Sequence, residues 1–396
     1  MTWPAAVAAL ALITAACTSA TTTTAAPGTT AAPTTMAPST TAAPGTTAAA
    51  STTAPPFTGT PVKACFVTDL QGVDDRSFNA AGWLGVTVAA EAGYAENDPG
   101  PPTNPLLEES SVREDYLPNI TLCLESGVQH IVTNGFELGP TTETVSQENL
   151  DRKFTIVDYA FADPDTFAPL DYDNVRELVY QTDEAAFAAG YLAAGVSQSG
   201  IVGTYGGLNI PTVSIFMDGF ARGVAHYNEI KGTSVTVLGW DTEAKEGNFT
   251  GSFDPTNPAV VTSCQNLLDE GADIILPVGG IINLPCGTEI QTRGIEAALI
   301  GVDVDAFVAM PAEFADLWLT TITKALTEQV ALSIQQDATG EWSPGNYVGN
   351  LENRGVGLSG YHSWSDRVSP ELDAEVQQVL ADVTSGAITW TKYDVG

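Results

Sequence analysis

The apolar stretch Val62–Thr68 runs directly into Asp69-Leu70-Gln71-Gly72-Val73-Asp74-Asp75-Arg76-Ser77-Phe78-Asn79. These side chains suit holding a small molecule better than breaking one. A carboxylate at a strand end, such as Asp69, accepts hydrogen bonds from hydroxyls, and Asn79 offers both a donor and an acceptor. Phe78 presents a flat apolar face. The second half of the chain has a matching set. Phe216 lies at the start of a helical pattern, Gly279-Gly280 lets backbone N–H groups approach a ligand closely, and Asp303 again places a carboxylate where a strand ends. Ser77 and Asn79 also suit a helix start. Asp74 and Asp75 are best placed to fix the loop and the helix N-terminus, where negative charge is favoured. Nothing argues for catalysis. No Ser/His/Asp arrangement occurs at motif spacing. There is no C-x-x-C, and His130, His226 and His362 lack ligand spacing, so neither metal nor cofactor is expected.

The elements that must position these groups alternate. Strands are predicted at Val62–Thr68, His130–Thr133, Lys153–Tyr159, Gly200–Tyr205, Ser234–Gly239, Asp273–Val278 and Ala298–Asp303. Helices are predicted at Asn79–Gly93, up to Gly127, and at Asp183–Ser197, Thr212–Asn228, Pro258–Glu270, 289–297, Glu313–Asp337 and Pro370–Ser385. Buried strands separated by helices indicate an α/β fold of doubly wound parallel sheets. The alternation runs through twice, giving two domains, 62–175 plus 306–345 and 176–305 plus 346–396. Ligands of such sheets bind at the carboxyl ends of strands, so the cleft between the domains is the expected site.

The front of the chain differs from the rest. Residues 1–17 read as an export signal, with an apolar run Ala5–Ala16 too short to span a bilayer, which takes roughly twenty residues. Small residues precede Cys17, the expected lipid-bearing residue; the alternative is a plain secretory signal cleaved near Ala16. Residues 18–60 are almost entirely Thr, Ala, Pro, Ser and Gly and cannot build a core. As a coil this tether spans roughly 35–40 Å, and about 130 Å if fully extended. The expected location is therefore the outer face of the cell membrane, lipid-anchored or else secreted. With 48 acidic residues against 14 basic ones, the net charge of −34 excludes a nucleic-acid partner. Four further cysteines, Cys65, Cys123, Cys264 and Cys286, suggest two disulfides in an exported protein. Spacing does not choose among the three pairings; Cys65–Cys123 and Cys264–Cys286 are favoured because each lies within one half.

Four blocks carry a resemblance. Asp69 to Asn79 is similar to the signature of the basic membrane protein (PnrA-like) family of ABC transporter substrate-binding lipoproteins, with Gln71 where Gly is common. The others are Gly203-Thr-Tyr-Gly206-Gly207-Leu-Asn-Ile-Pro211 with Phe216-Met-Asp-Gly219-Phe220-Ala-Arg-Gly223, then Gly271-Ala-Asp273 through Gly279-Gly280, then Ile300-Gly301-Val302-Asp303-Val304-Asp305. The resemblance covers about residues 62–330. It implies a type I periplasmic-binding-protein fold that closes on a nucleoside, a purine nucleoside being favoured, and passes it to permease and ATPase subunits. Phe78 and Phe216 would stack on the base, one from each domain. Asp69, Asp303 and the Gly279-Gly280 backbone would hold the sugar. Lys324, in Thr321-Ile-Thr-Lys324, matches a family Ser-x-x-Lys position on the ribose, with Thr replacing Ser. Only six lysines occur in the chain, and this one lies in an apolar segment read as a helix. After Gly135-Phe136 the family commonly has a base-contacting Asp; here Glu137-Leu138-Gly139-Pro140 follows. The rival readings are a ligand-sensing receptor of the same fold and a nucleoside hydrolase using Asp69, Asp74 and Asp75. Arg76 and Ser77-Phe78-Asn79 fit the binding signature better than the hydrolase.

Overall fold

The computed structural model describes residues 57–98 and 104–393. The expected signal, Cys17 and nearly all of the tether lie outside the described residues. The first lobe follows the chain through β1 (Ala64–Thr68), α1 (Phe78–Glu91), β2 (Leu106–Glu108), α2 (Tyr116–Glu125), β3 (His130–Asn134), α3 (Gly139–Glu148), β4 (Lys153–Val157) and β5 (Val175–Tyr180). The second lobe continues with α4 (Thr182–Val196), β6 (Ile201–Gly206), α5 (Pro211–Lys231), β7 (Thr236–Leu238) and the short pair β8 (Trp240–Asp241) and β9 (Glu246–Gly247). It proceeds through α6 (Pro258–Asp269), β10 (Ile274–Val278), α7 (Asn283–Arg293), β11 (Ala298–Asp303), α8 (Ala306–Ala309) and β12 (Trp318–Lys324). The chain then returns to the first lobe for α9 (Leu326–Thr339) and β13 (Gly345–Gly349). It finishes in the second with β14 (Val356–Leu358) and α10 (Pro370–Ser385).

Among the described residues the large sheets run β13-β5-β4-β3-β1-β2 and β14-β12-β11-β10-β6-β7. Every pairing in the first is parallel; in the second only β12–β14 is antiparallel. β1, β3, β10 and β11 are buried along their whole length, as expected of strands covered by helices on both faces. The second lobe packs α4 against α5 at backbone contact. A Cβ on Gly190 would lie 2.0 Å from the Phe220 carbonyl oxygen, and one on Gly223 would lie 1.8 Å from that of Phe187. Only glycine permits so close an approach.

Among the described residues three crossings join the lobes, and they lie side by side. Gln181 links β5 to α4, Ala325 links β12 to α9, and Asn350–Gly355 links β13 to β14. The Gln181 N–H donates to the Gly349 carbonyl (2.7 Å), and the Ala325 N–H donates to the Gly355 carbonyl (2.9 Å). A Cβ on Gly355 would fall 2.2 Å from the Cα of Gly349, so two glycines let the crossings touch. Sheet membership thus changes lobes at 181, 325 and 350–355, where the sequence had suggested 175, 305 and 345. The difference has two sources. β5 carries Arg176 and Glu177, which mask its strand character. The expected helix Glu313–Asp337 is in fact a short 3-10 segment, Ala312–Leu317, followed by strand β12 and then helix α9. Likewise the helix expected at 289–297 lies at Asn283–Arg293, stopped by Gly294 at φ +63.

The sulfurs of Cys65 and Cys123 are bonded, tying α2 to β1, and those of Cys264 and Cys286 join α6 to α7. Their sequence separations of 58 and 22 correspond in the chain-entropy model to about 4 and about 3 kcal/mol. Removing Cys65–Cys123 by paired alanines is expected to lower the urea-unfolding free energy more than removing Cys264–Cys286. Equal losses would show that loop entropy does not govern these bonds.

Candidate functional site

Between the lobes lies a cavity of about 540 Å³, counting its open mouth. It forms where the carboxyl ends of β1, β3 and β4 face those of β10, β11 and β12. All eight binding residues expected from sequence line it: Asp69, Phe78 and Asn79 from the first lobe, and Phe216, Gly279, Gly280, Asp303 and Lys324 from the second. Gln71, Asp75, Phe136, Asp158 and Phe253 also line it and had not been singled out as ligand contacts.

Lys324 organises the centre. It is the last residue of β12, not a helix residue, and its side chain is 3% exposed. Its Nζ donates to Asp158 Oδ2 (2.6 Å) and lies 3.3 Å from Asp303 Oδ1. It also sits 5.2 Å from the ring centroids of both Phe78 and Phe216, and 5.7 Å from that of Tyr180. Burial alone would lower its pKa, but Asp158 and Asp303 outweigh burial and hold it above the ordinary lysine value. Burial raises Asp158, and Lys324 opposes that rise. Both carboxylates adopt left-handed backbone, Asp158 at φ +62 and Asp303 at φ +70. Aspartate tolerates that region better than most residues, and such conformations concentrate at functional sites. Asp158 could have been found in the sequence, because it ends a parallel strand as Asp69 and Asp303 do.

Asp69 sits on the first-lobe wall. Its Oδ1 accepts from Asn79 Nδ2 (2.6 Å), and Asn79 Oδ1 accepts from Asn134 Nδ2 (3.1 Å). Both polar ends of Asn79 are therefore engaged within the protein, and its visible task is to orient Asp69. Burial pushes the Asp69 carboxyl up to about 7; Asn79 works against this, while Asp75 and Glu137 add to it. Asp75 caps α1: Oδ1 accepts from the N–H groups of Ser77 (3.0 Å) and Ala80 (2.9 Å), and Oδ2 from that of Asn79 (2.8 Å). This cap turns the start of α1, and with it Phe78, toward the cavity. Among the described residues no group of His, Cys, Asp or Glu is placed to hold a metal ion.

Gly279 and Gly280, at φ +150 and φ +60, form the second-lobe rim. A Cβ on Gly279 would meet the Phe253 ring at 2.6 Å. Glu137 does not line the cavity; it pairs outward with Arg113. Phe136 beside it does line the cavity, so this segment contributes an aromatic ring to the site.

Two α/β lobes joined by three crossings, with the site at the facing strand ends, define a binding protein of the type I periplasmic class. The comparisons agree. The family model described as ABC transporter substrate-binding protein, PnrA-like, matches residues 62–388, and the chain belongs to that family. It is 23% identical to the ABC transporter nucleoside-binding protein BmpA of Lactococcus lactis, over 83% of this chain and 89% of that protein. It is 24% identical to basic membrane protein A1 of Borrelia garinii, over 80% and 84%. Among solved structures it resembles a solute-binding protein of an ABC transporter system from Aeropyrum pernix. That likeness has a TM-score of 0.70 and 21% identity, covering 84% of this chain and 94% of that one. A second such protein, from Conexibacter woesei, gives a TM-score of 0.61 at 20% identity, covering 84% and 99%. The protein is thus an ABC transporter substrate-binding protein, a class that works outside the cytoplasm and pairs with transporter subunits. No helix among the described residues is long and apolar enough to cross a membrane.

Proposed function

We propose that the protein captures a nucleoside, with purine nucleosides favoured, and delivers it to an ABC permease. The carrying observation is the pair of phenylalanines, one from each lobe, centred on the same lysine. Lys324 Nζ lies 5.2 Å from each centroid, so the two rings border one shared space where a planar base would meet both. Each stack contributes about 0.5–1.5 kcal/mol beyond the area it buries. Asp69, Asp158, Asp303 and Lys324 then supply charged acceptors and a donor for sugar hydroxyls and base edge. Because the rings belong to different lobes, sandwiching the base couples binding to closure. Lipid on Cys17 and the 18–60 tether would hold the head near its transporter.

A thermal-shift panel of guanosine, inosine, adenosine, free bases and sugars tests the reading. Stabilisation by at least one nucleoside is expected; failure of all three would sink it. Phe78→Ala is expected to weaken binding of the effective nucleoside at least tenfold with an unchanged circular dichroism spectrum. Undiminished affinity would remove the stacking model.

A further inference from the structure

We infer that Gln71 and Phe253 form a gate across the mouth of the cleft. Gln71 belongs to the first lobe, in the loop between β1 and α1. Phe253 belongs to the second, in the segment between β9 and α6. The Gln71 side-chain amide donates to the Phe253 carbonyl across the cleft. Both residues line the inner cavity, and both also line an outer, solvent-open recess of about 900 Å³, counting its open side, beside Ser111, Arg113, Ser252 and Asp254. This contact is therefore part of the boundary between the two spaces.

The second-lobe half of the gate is firmly seated. Thr250 N–H donates to the Gly206 carbonyl, and Gly251 N–H to that of Gly207, each at 2.9 Å. The Phe253 ring lies flush on backbone: a Cβ on Gly207 would meet it at 2.2 Å, and one on Gly279 at 2.6 Å. The first-lobe half is a flexible side chain long enough to reach it. Deeper in the cleft the lobes are also tied by the Lys324–Asp158 pair (2.6 Å) and by longer contacts of Ser77 Oγ, 3.4 Å from both the Val302 carbonyl and Asp303 Oδ2, so the Gln71 contact acts at the mouth in addition to them. Gln71 is therefore a positioning residue. It biases the lobes toward the closed arrangement and slows escape from the inner cavity. Its role in closure rests on geometry alone; its role in retaining a ligand rests on the function proposed above.

Two variants separate the bond from the bulk. Gln71→Glu keeps the length but cannot donate, and Gln71→Gly removes the side chain. In a Cys17→Ser background, spin labels at Leu150→Cys and Ile230→Cys, exposed positions on opposite lobes, report the interlobe distance without any ligand. Both variants are expected to broaden the distribution and shift it relative to the unsubstituted Gln71 protein. An unchanged distribution in both overturns the gate, whether or not any nucleoside binds. The second readout is dissociation of whichever of guanosine, inosine or adenosine stabilises the wild type. Gln71→Glu is expected to speed dissociation about tenfold with little change in association; an unchanged dissociation rate overturns the retention role. If none of the three binds the wild type, the nucleoside reading fails while the distance measurement still decides the gate.

Discussion

Lys324→Met is expected to lower the unfolding free energy by about 3–5 kcal/mol, the usual cost of leaving a buried ion pair with one partner missing. The cost arises from what stays behind. Asp158 and Asp303 are both buried, and Lys324 is the cation in contact with them. Methionine is close in size and keeps an apolar stem but carries no charge, so it leaves the two carboxylates without their cation. They can respond only by taking up a proton or admitting water. A second substitution identifies the cause: adding Asp158→Asn to Lys324→Met is expected to recover more than half of the loss, because it removes one orphaned charge. Urea unfolding of the two single variants and the double variant gives the coupling directly. A loss below about 1 kcal/mol in Lys324→Met would mean that the pair is well hydrated and contributes as little as a surface pair does.

The second large effect has the opposite sign for folding. Asp69→Asn is expected to stabilise the protein at neutral pH and to weaken ligand binding. The folded-state carboxyl titrates at about 7 against an ordinary value of 3.8, chiefly because of burial. Below about pH 4 it is protonated whether the chain is folded or not, and the substitution changes little. Between about pH 4 and 7 the unfolded chain has released this proton while the folded one retains it, so stability falls as pH rises. Above about pH 7 the full penalty applies, up to about 4 kcal/mol for a shift of about three units. The gain from Asp69→Asn should therefore grow from pH 4 to pH 7 and level off. Loss of the charged acceptor should cost roughly 1.5–3 kcal/mol of binding, measured by calorimetry at pH 8. A variant less stable than wild type at pH 8 would show that the Asp69 carboxylate is well accommodated in the fold.

Much of this site was legible in the sequence, and the misses have physical causes. That Asp69, Phe78 and Asp303 line the cavity is legible because parallel sheets present their carboxyl ends to ligands, and strong apolar runs mark those ends. Lys324 stands out through its motif, but its element does not: the sequence suggests a helix and the residue ends strand β12. Trp318–Lys324 is a strand buried on both faces, so it lacks the alternation that distinguishes a strand from a helix. Its neighbouring apolar residues happen to continue at helical spacing into α9. The run Thr320-Thr321-Ile322-Thr323, all β-branched, was the local signal for a strand. β5 was missed for the converse reason. Arg176 and Glu177 interrupt its apolar character, yet Arg176 reaches across to Gln336 and to the Ser343 carbonyl, and Glu177 is buried. Those partners lie some 160 residues away in sequence, beyond any local pattern. Asn79 shows a different limit. Its type suited a ligand contact, but only the fold shows that Asp69 and Asn134 occupy both of its polar ends.

The three touching crossings also have a mechanical consequence. Lys324 stands one residue before the crossing at Ala325, whereas Gln71 and Phe253 bridge the mouth between inner and outer cavities. Any rotation of the lobes about the crossings acts as a lever, and displacement grows with distance from the fulcrum. The lysine and its two carboxylates travel least and the mouth travels most. A few degrees of swing can part the mouth while the charges at the base stay within reach of one another. Breaking that ion pair is then not a toll on every opening, and the charged floor can stay assembled between one ligand and the next.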